Sequence, residues 1–471
     1  MNKIVISSND VLWNYLGTFF SMGINYMLLP FFLWHFSDDT LGLWYVYMSL
    51  SNMAALLIFG FSPSFSRNIA YCWNGAEELT ATGKTDRSLG NGVDVHLFDT
   101  LMDACNKVYL FIGLIALLLL GSIGTIYIYS IAGPLRSRGL FMAWGVMVIA
   151  IFFNIYLGYY ISLLSGIGYV AERNKAQVIA GIIRIILTGV LLASGMDLLG
   201  ACIAYLLYGF FLRMICKKYF LNAINDRFPG YEHNSSIDRK EIMDCLRIIW
   251  PNTWRDGVVS ISEYLITQAG TIICSLFLTL AETGIYSLSV QLITAIGKIA
   301  RSFQIAYIPA LQTAFITDNK KDSKELHAMC VSVFCITYVL GVTALYLIGL
   351  PLLRIIRPDM VIDKAVLLGI AVLQFIVILR NCYASYLSTT NRLDYWLAYI
   401  LSGCTAVIVS VISFECYSLG IWSIILPAIL AEAVYNTWYW PYKVHKELDM
   451  KIADIFPVGL KRLRNVFSKG C

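Results

Sequence analysis

Residues 176–216 read AQVIAGIIRIILTGVLLASGMDLLGACIAYLLYGFFLRMIC. Two apolar runs, 176–194 and 197–216, are joined by the short turn Ser194–Asp197. A helix rises about 1.5 Å per residue, so each run is long enough to cross a hydrocarbon core of about 30 Å. So short a connection sends the chain straight back, and the pair must form an antiparallel helical hairpin. Arg184 sits inside the first run. A cation at that depth costs roughly 2.5–3.5 kcal/mol on insertion scales, so it has to face a partner, water or a bundle interior.

The same pattern fills the chain. About twelve runs of this kind can be drawn: 11–33, 41–61, 108–130, 139–165, 176–194 and 197–216, then 248–279, 282–310, 327–349, 362–388, 393–413 and 419–441. Of the 471 residues 58% are hydrophobic and 14% charged, and the mean hydropathy is +0.68. A soluble domain carries about 25% charged residues. The runs are continuous rather than alternating, which excludes a transmembrane β-barrel and predicts an all-α integral membrane protein. Only Lys3 precedes the first run, which is long enough to span, so it reads as a membrane helix and not a cleavable signal.

Lys and Arg set the orientation. With both termini cytoplasmic, about 23 of the 35 positive residues fall on the inside and about 5 outside. The expected arrangement is a six-helix bundle over 1–216, a cytoplasmic linker over 217–247, a second bundle over 248–441 and a basic cytoplasmic tail over 442–471. Within the first bundle, residues 93–107 place Leu97, Leu101 and Cys105 on one stripe and read as an amphipathic helix on the inner surface. The tail mixes Ile452, Phe456 and Leu460 with Lys461, Arg462 and Arg464, a pattern that favours anionic lipid. The halves also resemble each other. "SDDTLGLWYVYMSL" aligns with "LAETGIYSLSVQL" when Gly42 is set on Gly284. That similarity predicts a duplication with a pseudo-two-fold axis, an arrangement common in transporters.

Ionisable residues inside the runs are the candidate functional groups. Arg184, Arg255, Lys298, Arg301 and Arg380 lie mostly at inner-half depth, and Lys298 and Arg301 share a helix face. Either they line a hydrated cavity that binds an anion, or they pair with acids such as Asp256, Glu263 and Glu432. Arg67 closes the second run in "GFSPSFSRNIAY", where Gly60 and Pro63 interrupt the helix. Glu263, Glu432 and Asp256 are candidates for carrying a coupling proton or cation, or else they neutralise the arginines. Arg213 and Arg247, near inner helix ends, read as snorkelling side chains.

Several chemistries are excluded. "GKT" at Gly83–Thr85 has Glu78 where a phosphate loop needs glycine, and H-E-x-x-H, G-x-S-x-G and C-x-x-C are absent. The twelve cysteines are scattered without metal-like or disulfide spacing and read as small buried hydrophobes. No cofactor, no metal and no nucleic-acid partner is expected.

Residues 41–71, "LGLWYVYMSLSNMAALLIFGFSPSFSRNIAY", with "LWNYLGTFFSMGINYMLLPFFL" before them, resemble the bacterial polysaccharide-export and O-antigen flippases. "RIIWPNTWRDGVVSIS", "GIYSLSVQLITAIGKIARSFQIAYIPALQTAF" and "LSTTNRLDYWLAY" extend the resemblance over nearly the whole chain. That family belongs to the multidrug/oligosaccharidyl-lipid/polysaccharide (MOP) flippase superfamily. The resemblance implies a MATE-like fold of two bundles across a central cavity, working as a monomer by alternating access. It implies transport of an undecaprenyl-diphosphate-linked oligosaccharide across the bacterial cytoplasmic (inner) membrane, not catalysis. A polysaccharide polymerase and glycosyltransferases would be the working partners. Arginine suits a diphosphate because its planar fork binds two oxygens. Trp13, Trp44, Tyr45, Tyr435 and Trp438 would stack on sugars or form interfacial belts. The rivals are a cation-coupled drug or metabolite antiporter of the same superfamily, which would prefer acids in the cavity, and a membrane enzyme acting on lipid-linked glycans.

Overall fold

Among the described residues every regular element is a helix, as the apolar runs require. The computed structural model describes residues 23, 27–73, 94–133, 136–230, 238–316, 319–389, 395–417 and 419–468. The first half contains α1 (Leu29–His35), α2 (Asp38–Ala55), α3 (Phe61–Trp73), α4 (Val95–Leu119), α5 (Thr125–Ile131), α6 (Arg138–Tyr156), α7 (Tyr159–Gly166), α8 (Val170–Ala193) and α9 (Asp197–Arg227). There follow α10 (Arg239–Thr267), α11 (Ala269–Phe277), α12 (Leu280–Ile316), α13 (Lys320–Ala344), α14 (Leu350–Ile356), α15 (Lys364–Thr389), α16 (Trp396–Cys416), α17 (Trp422–Val434), α18 (Asn436–Glu447) and α19 (Ile455–Ser468).

Eight of these helices or helix runs are long and apolar enough to cross a membrane, or nine if the bent pair Gly257–Thr267 and Ala269–Phe277, at 42°, is one span. The first expected run, 11–33, lies mostly outside the described residues. Each later run falls on helix. The Ser194–Asp197 turn is built as the hairpin requires: Gly195, at φ +80°, turns the chain, and the Met196 and Gly195 amides donate to the Leu191 and Leu192 carbonyls at 3.1 and 2.9 Å. Polar caps start other helices. Ser37, Asp94, Ser137 and Asn319 each accept the amide three residues on, at 3.0–3.2 Å.

One expected boundary is absent. Residues 95–107 are not a separate surface helix. They form the first turns of α4, which continues through a π turn at Leu120–Gly124 into α5. Their apolar stripe is spent inside the protein: Phe98, Leu101, Ala104 and Cys105 are buried with Phe65 and Ile69 of α3 and Phe220 of α9.

The chain forms two compact units, residues 1–260 and 261–471, with the boundary inside α10. In the first unit α9 packs on α6 and α8, α4 on α6, and α3 on α7. In the second, α12 packs on α13 and α15, α16 on α17, and α13 on α19. Several spans are broken inside. α6 gives way to α7 at Leu157–Gly158, and α17 to α18 at Tyr435, whose φ of −141° leaves the helical region. Side chains repair the second break, where Thr437 Oγ1 and Trp438 Nε1 donate to the Glu432 and Val434 carbonyls at 3.0 and 2.9 Å.

Candidate functional site

In the second unit one stretch of α15, Arg380–Tyr386, carries most of the buried polar chemistry. Helical spacing sends its side chains around the axis, so each meets a different neighbour. Arg380 Nη1 donates to Glu432 Oε1 of α17 at 2.6 Å, and neither side chain has any exposed surface. The Ser402 hydroxyl of α16 donates to the same oxygen at 2.7 Å. The guanidinium lies 3.7 Å from the centre of the Tyr399 ring. Asn381 Nδ2 donates to Glu263 Oε1 of α10 at 3.1 Å. Gln304 of α12 donates to the Cys382 carbonyl at 2.8 Å, and Arg301 Nη2 to the Ser385 hydroxyl at 3.4 Å.

Tyr383 and Tyr386 face His327 of α13, with ring centres 5.0 and 5.4 Å apart. Tyr383 also meets His445 of α18. His445 Nδ1 lies 2.9 Å from the Met450 carbonyl, which can only accept, so Nδ1 carries a proton. With that ring neutral, Nε2 accepts the Tyr383 hydroxyl at 3.1 Å.

The buried network is not saturated. Nε and Nη2 of Arg380, Oε2 of Glu432, Nε of Arg301 and both ring nitrogens of His327 have no hydrogen-bond partner among the described residues. Such groups in a dry interior are costly, and they mark where water, an ion or a ligand group would be stabilised.

In the first unit Arg184 and Arg213 both turn inward. Arg184 is buried on α8 between the Tyr205 and Tyr208 rings of α9, at 5.2 and 5.3 Å. Arg213 was expected to snorkel, but it turns inward. Its Nη1 donates to the Gly209 carbonyl at 3.1 Å and its Nη2 to the Asn154 carbonyl at 3.0 Å. The reason is the break after α6. The Gly158 amide bonds Ile155, at 2.9 Å, in place of Asn154, and so releases the carbonyl that Arg213 takes. Nothing near Arg213 in the sequence announces this.

The sequence candidates therefore separate. Arg380 and Glu432 are brought together as an ion pair, and Glu263 joins them through Asn381. Arg301 stands on the other side of the same α15 stretch. Lys298, one turn earlier on α12, is exposed, and so is Arg67 on α3. Arg255 and Asp256 lie on α10 with side chains outside the described residues. No group of histidine, cysteine or acidic residues able to hold a metal occurs among the described residues.

No protein-family model matches the chain, and no curated protein matches it in sequence. Solved structures match it in fold. An inward-facing MATE family multidrug resistance transporter of the MOP superfamily superposes with a TM-score of 0.66 at 13% identity, over 93% of this chain and 99% of that one. The lipid II flippase MurJ, in an inward closed conformation, gives 0.62 at 13% identity, over 97% and 92%. A MOP superfamily transporter from Pyrococcus furiosus, described by the reverse polarity of its binding pocket, gives 0.53 at 14% identity, over 94% and 96%. These neighbours are transporters and flippases rather than enzymes, and the chain has their MATE-like fold.

Proposed function

We propose that the chain is a MOP-type flippase that moves an undecaprenyl-diphosphate-linked oligosaccharide from the cytoplasmic to the periplasmic leaflet of the bacterial inner membrane by alternating access. The observation that carries this reading is the Lys298/Arg301 pair on α12. The two cations are three residues apart on one face, and Arg301 keeps a buried Nε–H unspent beside its 3.4 Å contact to Ser385. A guanidinium with donors in reserve inside a membrane bundle is suited to a diphosphate, which offers several charged acceptors. In the first unit Arg184, held between two tyrosines, is by itself a further proposed anion contact, and Arg255 and Arg67 of that unit are proposed for the same kind of role.

Arg380 takes a different part. Glu432 already neutralises it, so it is a weak anion ligand. Together Arg380, Glu432, Asn381 and Glu263 set two carboxylates against one guanidinium, a balance suited to accepting a coupling proton or cation. Asp256 is the third candidate for that role. The same acids support the second reading, a cation-coupled drug or metabolite antiporter.

Reconstituted vesicles separate the two. The flippase reading expects a fluorescent prenyl-diphosphate-linked oligosaccharide to reach the opposite leaflet, and expects Arg301→Ala to stop it. Exchange of a cationic dye for protons, with the lipid-linked glycan left in place, would establish the antiporter instead.

A further inference from the structure

α19 lies antiparallel along the start of α13. The Ser332 hydroxyl donates to the Ile455 carbonyl at 3.0 Å. Gly459 meets the Ala328 carbonyl and Ser332 so closely that no Cβ fits. Arg462 donates to Asp322 and Glu325 at 2.6 and 3.2 Å. Leu463 packs with Leu326 and Met329. As α19 advances from 455 to 462, its contacts step back along α13 from 332 to 322, over about 10 Å. The turn leading into it is pinned as well. His445 holds the Met450 carbonyl, and Lys324 Nζ donates to the Asp449 carbonyl at 2.6 Å.

The other face of α19 is graded in the same direction. Ile452, in the turn just before α19, and Phe456 and Leu460 on it are 74%, 44% and 43% exposed. Lys461 and Arg464 are exposed beyond them. The antiparallel α13 is graded to match: its charged start, Lys320 to Glu325, abuts the cationic end of α19, and its apolar stretch abuts the apolar end. Water alone gives no reason to display Phe456 and Leu460 outward on a helix already docked by its other face. A bilayer edge does, with acyl chains at one end and headgroups at the other.

We propose that this outward face is a binding site for anionic phospholipid of the inner leaflet. Phe456 and Leu460 contact acyl chains. Lys461 and Arg464 pair with the headgroup phosphate and its negative neighbours. Arg462 is reserved by α13. Because α19 is bolted to α13, the lipid acts on a core helix and not on a loose tail. The proposal rests on the membrane placement and orientation, and not on the identity of the transported molecule.

The test uses the full chain in vesicles of equal phosphatidylcholine and phosphatidylglycerol, with a photo-crosslinking amino acid in place of Phe456 and adducts identified by mass. Phospholipid adducts are expected, with phosphatidylglycerol favoured several-fold. Lys461→Gln with Arg464→Gln should keep the adducts and abolish the preference. The same photo-residue at Leu347, 72% exposed on a different part of α13's continuation, shows that lipid capture works. Capture at 347 without capture at 456 overturns the proposal, and so does equal capture of the two lipids beside an intact Lys461 and Arg464. Either failure leaves the flippase reading untouched, because no glycan enters the assay.

Discussion

Arg380 and Glu432, separated by 52 positions in the chain, meet at 2.6 Å with no solvent contact on either side chain. Taking both charges out of water is expensive, and the pair persists because each partner offsets the other's desolvation. Losing one partner strands the other. Arg380→Ala or Glu432→Ala should therefore lower stability by about 3–5 kcal/mol. Arg380→Met combined with Glu432→Leu should recover most of the melting temperature in detergent, since an apolar pair of similar volume fits the site. If the pair serves coupling, that stable double variant will fail to transport, and the comparison of melting with vesicle transport separates the two roles.

Arg213 should behave as a structural residue. Arg213→Ala leaves the Asn154 carbonyl buried without its donor, at a cost of about 1–3 kcal/mol. Arg213→Lys keeps a charged donor group on a flexible stem but loses the planar fork, and should recover part of that loss. Thermal unfolding of the purified variants decides it. A melting temperature for Arg213→Ala equal to that of the unaltered protein would return Arg213 to the snorkelling role read from the sequence.

These residues show what the sequence carries and what it hides. The hairpin over 176–216 was legible because apolar length and the turn at Gly195 are local properties. The ions Arg184, Glu263, Arg301, Arg380 and Glu432 were legible as exceptions to apolar composition, and pairing with Glu432 was one of the two readings open for Arg380. Which acid meets which cation was not legible, since α15 and α17 are brought together by packing. The breaks at Leu157–Gly158 and Tyr435 were equally hidden: an apolar run looks the same whether its helix is straight or interrupted. Missing the first break is what made Arg213 look like a snorkelling side chain. The stripe over 93–107 misled for the opposite reason, because an amphipathic pattern does not say whether its apolar face meets lipid or protein.

The docking of α19 should depend on Gly459. A Cβ there would lie 2.5 Å from the Ala328 carbonyl, a backbone atom that cannot swing away. Gly459→Ala should push α19 off α13, and trypsin should then cut after Lys461, Arg462 and Arg464 faster than in the unaltered protein. Gly121→Ala is the matched control, because a Cβ at Gly121 meets nothing within 4 Å. Equal cleavage rates in the two variants would show that α19 is not held through this contact.

The last prediction concerns the α12 cations. Arg301 reaches Ser385 weakly and keeps Nε in reserve, so its charge is available for a substrate oxygen. A hydrogen bond to a charged group contributes about 1.5–3 kcal/mol, or about 10- to 100-fold in rate if it is made only as the substrate is captured. Arg301→Ala should lower glycan-lipid translocation by that factor while leaving the melting temperature nearly unchanged. Arg301→Lys should fall between, because the charge stays and the fork is lost. Lys298→Gln should cost less than Arg301→Ala, since an ammonium offers a diphosphate a single point charge and no planar fork. Measuring initial translocation rates of the three variants gives these comparisons. Arg301→Ala that folds and translocates at the full rate would remove α12 from the substrate path and leave anion recognition to Arg184 and its tyrosines.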